Sequence, residues 1–211
     1  MPIHVQQYVE ELIPARDGLL QEMEQFAKEN HVPIMELIGI ETMLSMLRMK
    51  QPKRILEVGT AIGYSAIRMA KALPHAEIVT LERDEERYKQ ALHNIEQAGL
   101  TSRIHVLFGD ALDQEQAVKE YAPFDCIFID AAKGQYQRFF EMYTPFLTDN
   151  GVVLSDNVLF KGFVANGQDA DKRMKKIADK IRGYNTWLVE QSSFDTTILP
   201  VGDGIAVSTK R

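Results

Sequence analysis

Apolar residues follow two different periods along the chain. Up to residue 53 they recur at helical spacing, most clearly at Leu19, Leu20, Met23 and Phe26, and Pro33 and Pro52 interrupt the pattern. This predicts helices over 3–11, 16–30 and 34–50. From Arg54 onward, apolar runs of strand length alternate with amphipathic stretches of helix length. Strands are predicted over 54–59, 76–82, 103–108, 124–130 and 151–155, with helices over 63–73, 84–98, 113–121, 134–147 and 168–183. Pro74 and Gly99 supply stops between units. Apolar strands alternating with helices imply a mostly parallel sheet covered on both faces. The ending breaks the rhythm: Trp187–Val201 and Gly204–Thr209 read as extended runs joined around Gly202-Asp203-Gly204, an antiparallel hairpin at the sheet edge. With no repeat or linker in view, the expectation is one α/β domain over 1–211, a helical arm (1–53) leading into the core (54–211).

Composition narrows the class. At 211 residues the chain can bury a substantial core, and 45% hydrophobic with 26% charged residues is ordinary for a globular protein. No apolar run reaches the length of a membrane span and no signal-peptide pattern opens the chain, so a cytoplasmic protein is expected. The single cysteine, Cys126, lies in an apolar run and reads as a core thiol. A net charge of −6 counts against a general nucleic-acid binder, although a local basic face stays open.

The most informative stretch is Arg54–Gly63, an apolar strand running into a glycine-punctuated turn with a helix behind it. Such a turn lets a ligand approach the backbone at the carboxyl end of a central strand, and on its own it reads equally well as a plain tight β-α turn. A dinucleotide fingerprint would have glycine in the middle of the turn; here that position is Ala61, and Glu57 stands two residues before Gly59. A carboxylate there repels phosphate and suits a cationic ligand carrying sulfonium and ammonium groups.

Four consecutive strand ends then deliver acids to one edge: Glu82, Asp110, Asp130, and Asp156 with Asn157. Each alone reads equally well as a helix cap or turn residue; the series points to a pocket. Glu82, nineteen residues after Gly63, suits ribose hydroxyls, and Asp110 an adenine amino group. Asp130, Asp156 and Asn157 are hard oxygen ligands that suit Mg²⁺. Lys133 stands on the same rim, either as a base of lowered pKa or as a solvated lysine at a helix start.

These residues resemble a known family, the class I S-adenosylmethionine-dependent O-methyltransferases of the cation-dependent, catechol and caffeoyl-CoA type. The resemblance is carried by Ile55–Ser65, Glu82, Gly109-Asp110-Ala111, Ile129–Lys133, Asp156-Asn157 and Pro200–Gly204. It implies a Rossmann-like, seven-stranded, mostly parallel sheet with an antiparallel last strand and helices on both faces. It further implies S-adenosyl-L-methionine and Mg²⁺ as cofactors and a homodimer. Carried over by residue, Glu82 is similar to the ribose ligand, Asp110 and Ala111 to the adenine contacts, and Gly59 and Ser65 to the methionine end. Met35 is similar to the residue that closes over the cofactor, and Asp130 lies at both the cofactor and the metal. Asp130, Asp156 and Asn157 resemble the metal ligands, and Lys133 with Asp130 the catalytic groups. The segment Val158–Gly162 resembles a substrate-side loop.

Within the family, the small bacterial members that methylate 5-hydroxyuridine at the tRNA wobble position are the most similar, which makes tRNA the expected acceptor. Lys172, Arg173, Lys175, Lys176, Lys180 and Arg182 form a candidate basic footprint or a solvated helix face, and Lys50, Lys53, Arg54 and Lys161 are candidate additions. The alternatives are a small catechol-like phenol as acceptor, an NAD(P)-dependent oxidoreductase on the same architecture, and a non-catalytic binding module.

Overall fold

A computed structural model describes residues 3–166 and 170–211. The arm contains α1 (Ile3–Glu11), α2 (Gly18–Glu29) and α3 (Leu37–Lys50). The core then runs β1 (Arg54–Val58), α4 (Tyr64–Ala72), β2 (Glu77–Glu82), α5 (Glu85–Gln97), β3 (Ile104–Phe108), α6 (Glu115–Lys119) and β4 (Phe124–Ile129). It ends with α7 (Tyr136–Tyr143), β5 (Leu147–Ser155), α8 (Lys172–Val189), β6 (Phe194–Leu199) and β7 (Ile205–Lys210). No helix among the described residues is long and apolar enough to cross a membrane.

All seven strands share one sheet in the order β3-β2-β1-β4-β5-β7-β6. The pairs β1–β2, β1–β4, β2–β3 and β4–β5 are parallel, whereas β7 pairs antiparallel with both β5 and β6. The sheet therefore matches the expected topology, with the hairpin placing β7 inside and β6 at the edge. Side chains alternate between two cores, as a pleated strand buried on both faces requires. On β4, Cys126 and Phe128 enter the core under α2–α5, while Ile127 and Ile129 enter the core under α7 and α8. Burial pushes the Cys126 thiol up to about 12, so it is an inert part of that core.

Several element boundaries differ from the pattern. The extended run expected from Trp187 is instead the last turn of α8, because Tyr184 and Leu188 continue the buried stripe. Trp187 itself packs edge-on against Phe140 at 5.3 Å and stacks on Tyr184 at 6.0 Å. The helix expected over 168–183 begins at Lys172, where Asp171 accepts from the Met174 amide at 2.8 Å; Gln168 and Asp169 lie outside the described residues. The helix expected over 113–121 divides into a 3₁₀ turn, Ala111–Asp113, and the short α6. That expected over 134–147 is a 3₁₀ turn at Lys133–Gln135, then α7, then a 3₁₀ turn at Thr144–Phe146 containing Pro145; β5 already starts at Leu147.

Candidate active site

The sheet order reverses between β1 and β4, and ligands of open α/β sheets bind outside the carboxyl edge at such a point. A cavity of about 350 Å³ lies there. Gly59, with φ +102°, turns the chain at the end of β1; a side chain there would collide with the Asp130 carbonyl oxygen. The Gly59 and Thr60 amides both donate to the Leu81 carbonyl at 3.1 Å, and the Ala61 amide donates to the Glu82 carboxylate at 2.8 Å. The Gly59, Thr60 and Ala61 donors are thus taken up within the protein, and Glu82, an acid, lines the cavity beside them. Glu82 is fixed further by the Arg83 and Asp84 amides, at 2.9 and 2.8 Å on its other oxygen. Three of its roughly four acceptor positions are filled, which leaves one for a ligand hydroxyl.

Asp110 is held in a comparable way. Its carboxylate accepts from the Leu112 amide at 3.0 Å and from the Arg83 guanidinium at 3.1 Å, and these hold its pKa below the usual range. Met35, Gly59, Ser65, Glu82, Asp110 and Ala111 all line the cavity, as the sequence expects of a cofactor site. Arg83, Tyr64 and Phe139 line it as well. Arg83 was legible as the residue next to Glu82, but its pairing with Asp110, across two strand ends, was not.

Glu57 behaves differently from its sequence-level reading. It is fully buried beneath the turn and accepts from Ser65, from Thr60 at 2.9 Å and from Thr80 at 2.5 Å, so it meets a ligand only through those hydroxyls. Burial pushes its carboxyl up to about 7 despite the three donors. A carboxyl raised in the fold from 4.5 favours folding while protonated, and that contribution is lost as pH rises from about 4.5 to about 7. The loss amounts to roughly 3 kcal/mol. Glu57→Gln is therefore expected to melt higher than the parent protein near neutral pH and to match it near pH 4, as calorimetry of the ligand-free protein can check.

Beyond the turn, Asp130, Asp156 and Asn157 come together. The Asn157 amide group stands 3.2 Å from Asp130 Oδ1 and 2.7 Å from Asp156 Oδ2. Asn157 has φ +61°, and this left-handed backbone carries its side chain over both carboxylates. Asp130 and Asn157 line the cavity, and Asp156 lies buried behind them. Burial raises the Asp130 carboxyl, with Lys133 opposing; burial and then the Asp130 charge raise Asp156 well above the usual range. Burial lowers the Lys133 ammonium in spite of Asp130 and Asp156. Asp203 adds a further negative charge close by. Among the described residues no cluster of three His, Cys, Asp or Glu side chains forms, so the candidate set is two carboxylates and one amide. A buried and a partly buried carboxylate, with an amide that can equally present its oxygen, fit a hard divalent cation that keeps bound water.

The candidate basic residues divide. Lys172, Arg173, Lys175, Lys176, Lys180 and Arg182 are all exposed on α8, and the Lys180 ammonium lies against Gly134, next to Lys133. Lys50, Lys53 and Arg54 do not join them: they stand at the amino end of β1, whereas Lys161 follows the carboxyl end of the parallel β5.

The sheet and its cavity define a Rossmann-like methyltransferase fold. A Staphylococcus aureus crystal structure, provisionally named a caffeoyl-CoA O-methyltransferase, matches with a TM-score of 0.93 and 34% identity over 99% of this chain and 100% of that one. The family model for O-methyltransferases matches residues 11–211, and the chain belongs to that family. The catechol O-methyltransferase of Niastella koreensis is 33% identical over 97% of this chain and 95% of its own length. The O-methyltransferase of Bacillus cereus, solved in complex with SAH, matches with a TM-score of 0.82 and 29% identity over 99% of this chain and 97% of that one.

Proposed function

We propose that this S-adenosylmethionine-dependent O-methyltransferase acts on a hydroxyl of a small flat ring that carries a second oxygen beside it, as in a catechol. The single observation that carries the reading is the cavity itself, which runs without a break from the Glu82 and Asp110 acids to Asp130, Lys133 and Asn157. The likeness to catechol and caffeoyl-CoA O-methyltransferases supports the same acceptor chemistry.

In this reading Glu82 takes the ribose hydroxyls, Asp110 with the Ala111 backbone takes the adenine, and Gly59 and Ser65 line the methionine end under Met35. Asp130, Asp156 and Asn157 would hold a divalent cation. Bound cofactors supply an electrophilic methyl group and Lewis acidity toward the acceptor oxygen. Lys133, its pKa lowered by burial, takes the proton from the acceptor hydroxyl. The walls around Gly59 and Met35 exclude water and fix the line of approach. Membership in the O-methyltransferase family sets the oxidoreductase alternative aside.

A second reading, 5-hydroxyuridine in tRNA, is favoured by one observation: the exposed basic run of α8 flanks the Lys133 turn. Its 5-hydroxyl also stands beside a ring carbonyl, so the chemistry at the site is shared. Methyl transfer from labelled S-adenosylmethionine separates the two, with catechol and tRNA that carries 5-hydroxyuridine but lacks 5-methoxyuridine as acceptors, each with Mg²⁺ or chelator. Label in catechol, lost with chelator, is the expected result. Label in tRNA alone would overturn it. In that case affinity should fall steeply with salt, and replacing Lys172, Arg173, Lys175 and Lys176 together should weaken it strongly. With a phenol, the same replacement is expected to leave turnover within about twofold, because surface changes away from a site have small effects. The homodimer is a further proposal, checked by light scattering.

A further inference from the structure

The acceptor side of the site rests on a stretch of backbone that is unfavourable by itself. Within five residues, Asn157, Phe160 and Lys161 all take positive φ, at 61°, 46° and 54°, though none is glycine. Side chains with a Cβ disfavour this region, and such residues persist only where neighbours over-determine them. Here the neighbour is the turn between β6 and β7. The Val158 amide donates to the Gly204 carbonyl at 3.1 Å and the Leu159 amide to the Asp203 carbonyl at 2.8 Å. The Lys161 amide donates to the Asp203 carboxylate at 3.1 Å. Gly204, at φ +87°, sits so close that a Cβ there would stand 2.9 Å from the Leu159 nitrogen. On its other side the turn is backed by α3, with Gly39 Cα 3.4 Å from where a Cβ on Gly202 would be.

Asp203 makes no salt bridge among the described residues, although Lys161 is the residue whose amide it binds. Its carboxylate serves the loop backbone. The loop in turn carries the Asn157 amide to Asp130 and Asp156, and holds the Phe160 ring 6.0 Å from the Lys133 ammonium. We infer that Asp203 is a positioning residue: its carboxylate latches the Asn157–Lys161 loop in the left-handed path that presents Asn157 and Phe160 to the acceptor. The inference rests on the reading of this side of the cavity as the acceptor site. It adds a residue whose latch depends on its acceptor oxygen, apart from the charge it places near Lys133.

Shape and charge are separable. Asp203→Ala removes the acceptor of the Lys161 amide; Asp203→Asn keeps an acceptor oxygen in its place, removes the charge and turns the other oxygen into an NH2 donor. Two readouts are needed, amide hydrogen exchange at residues 158–164 and steady-state kinetics with catechol, together with the affinity for S-adenosylhomocysteine. Asp203→Ala is expected to speed exchange at Leu159 and Lys161 and to lower kcat/KM for the acceptor by on the order of 10- to 100-fold, the scale of a misplacement of about 1 Å. Affinity for S-adenosylhomocysteine should hold, because Asp203 does not line that part of the cavity. Asp203→Asn should recover most of the loss in both readouts. If Asp203→Ala does not fold, Asp203→Ser, whose hydroxyl is too short to reach the Lys161 amide, takes its place in the same comparison.

Equal losses in the Asn and Ala variants would make the charge the active property and overturn the latch. Unchanged exchange in Asp203→Ala would overturn it as well, as would an equal loss of S-adenosylhomocysteine affinity. Failure of the parent protein to methylate either acceptor would count against the proposed function alone, since the exchange measurement would still judge the latch.

Discussion

Asp156→Asn is expected to lower kcat by on the order of 10³-fold, the scale seen when one preorganised electrostatic group is removed from a water-excluded site. The same change is expected to raise the melting temperature of the protein in chelator at neutral pH. The two signs follow from one fact. Asp156 is buried beside Asp130, and burial together with that neighbouring charge raises its carboxyl well above the ordinary value of 3.8. A group raised in the fold opposes folding once it ionises, so replacing it by a neutral isostere relieves the ligand-free protein above the unfolded value. A residue kept at a cost to stability and needed for rate is one held for function. Mg²⁺ should raise the melting temperature of the parent protein, because a ligand that binds only the folded state stabilises it, and should do so much less in the variant. Differential scanning calorimetry with Mg²⁺ or chelator, alongside turnover with catechol, checks both. A variant that melts lower in chelator and keeps its rate would make Asp156 a structural residue.

What could be read in the chain followed from local chemistry. The β/α alternation, the turn at Gly59 and the acids at four strand ends are each contained in a few adjacent residues, and a parallel sheet brings its strand ends to one edge. The site residues named from the sequence, apart from the buried Asp156, line one cavity for that reason. Long-range partners were hidden. Glu57 looked like a ligand carboxylate because its three hydroxyl partners include Thr80 on the neighbouring strand, which the β1–β2 register alone supplies. Asp203 stood in view inside a Gly-Asp-Gly turn, but its contact with Lys161 spans 42 residues. Trp187 reads as the start of an extended run, as aromatic residues favour strands, but packing against Phe140 and Tyr184 keeps it in α8. Whether Lys50, Lys53 and Arg54 join Lys161 could not be read locally, because only the parallel topology puts the start of β1 and the loop after β5 at opposite ends of the sheet.

Lys133→Met is expected to lower kcat by about 10²- to 10⁴-fold, the range for removing a positioned general base, while affinity for S-adenosylhomocysteine is retained. The lysine lines the cavity, 6.0 Å from the Phe160 centroid and within the charges of Asp130 and Asp156. Two influences on its ammonium oppose each other. Burial favours the neutral amine, Asp130 and Asp156 favour the cation, and burial wins, so its pKa lies below 10.5. A base must be neutral to act; kcat/KM for the acceptor should therefore fall on the acid side of that lowered value and level off above it. Lys133→Met should lose that limb along with the rate. Lys133→Arg separates the two roles left open by the sequence, because a guanidinium keeps the charge and length but stays protonated throughout the accessible range. If Lys133 takes the proton, Arg should be as poor as Met. If it only orients the acceptor through its charge, Arg should restore much of the rate, and the acid limb would persist in both variants. A pH–rate profile of the three proteins with one acceptor decides between them.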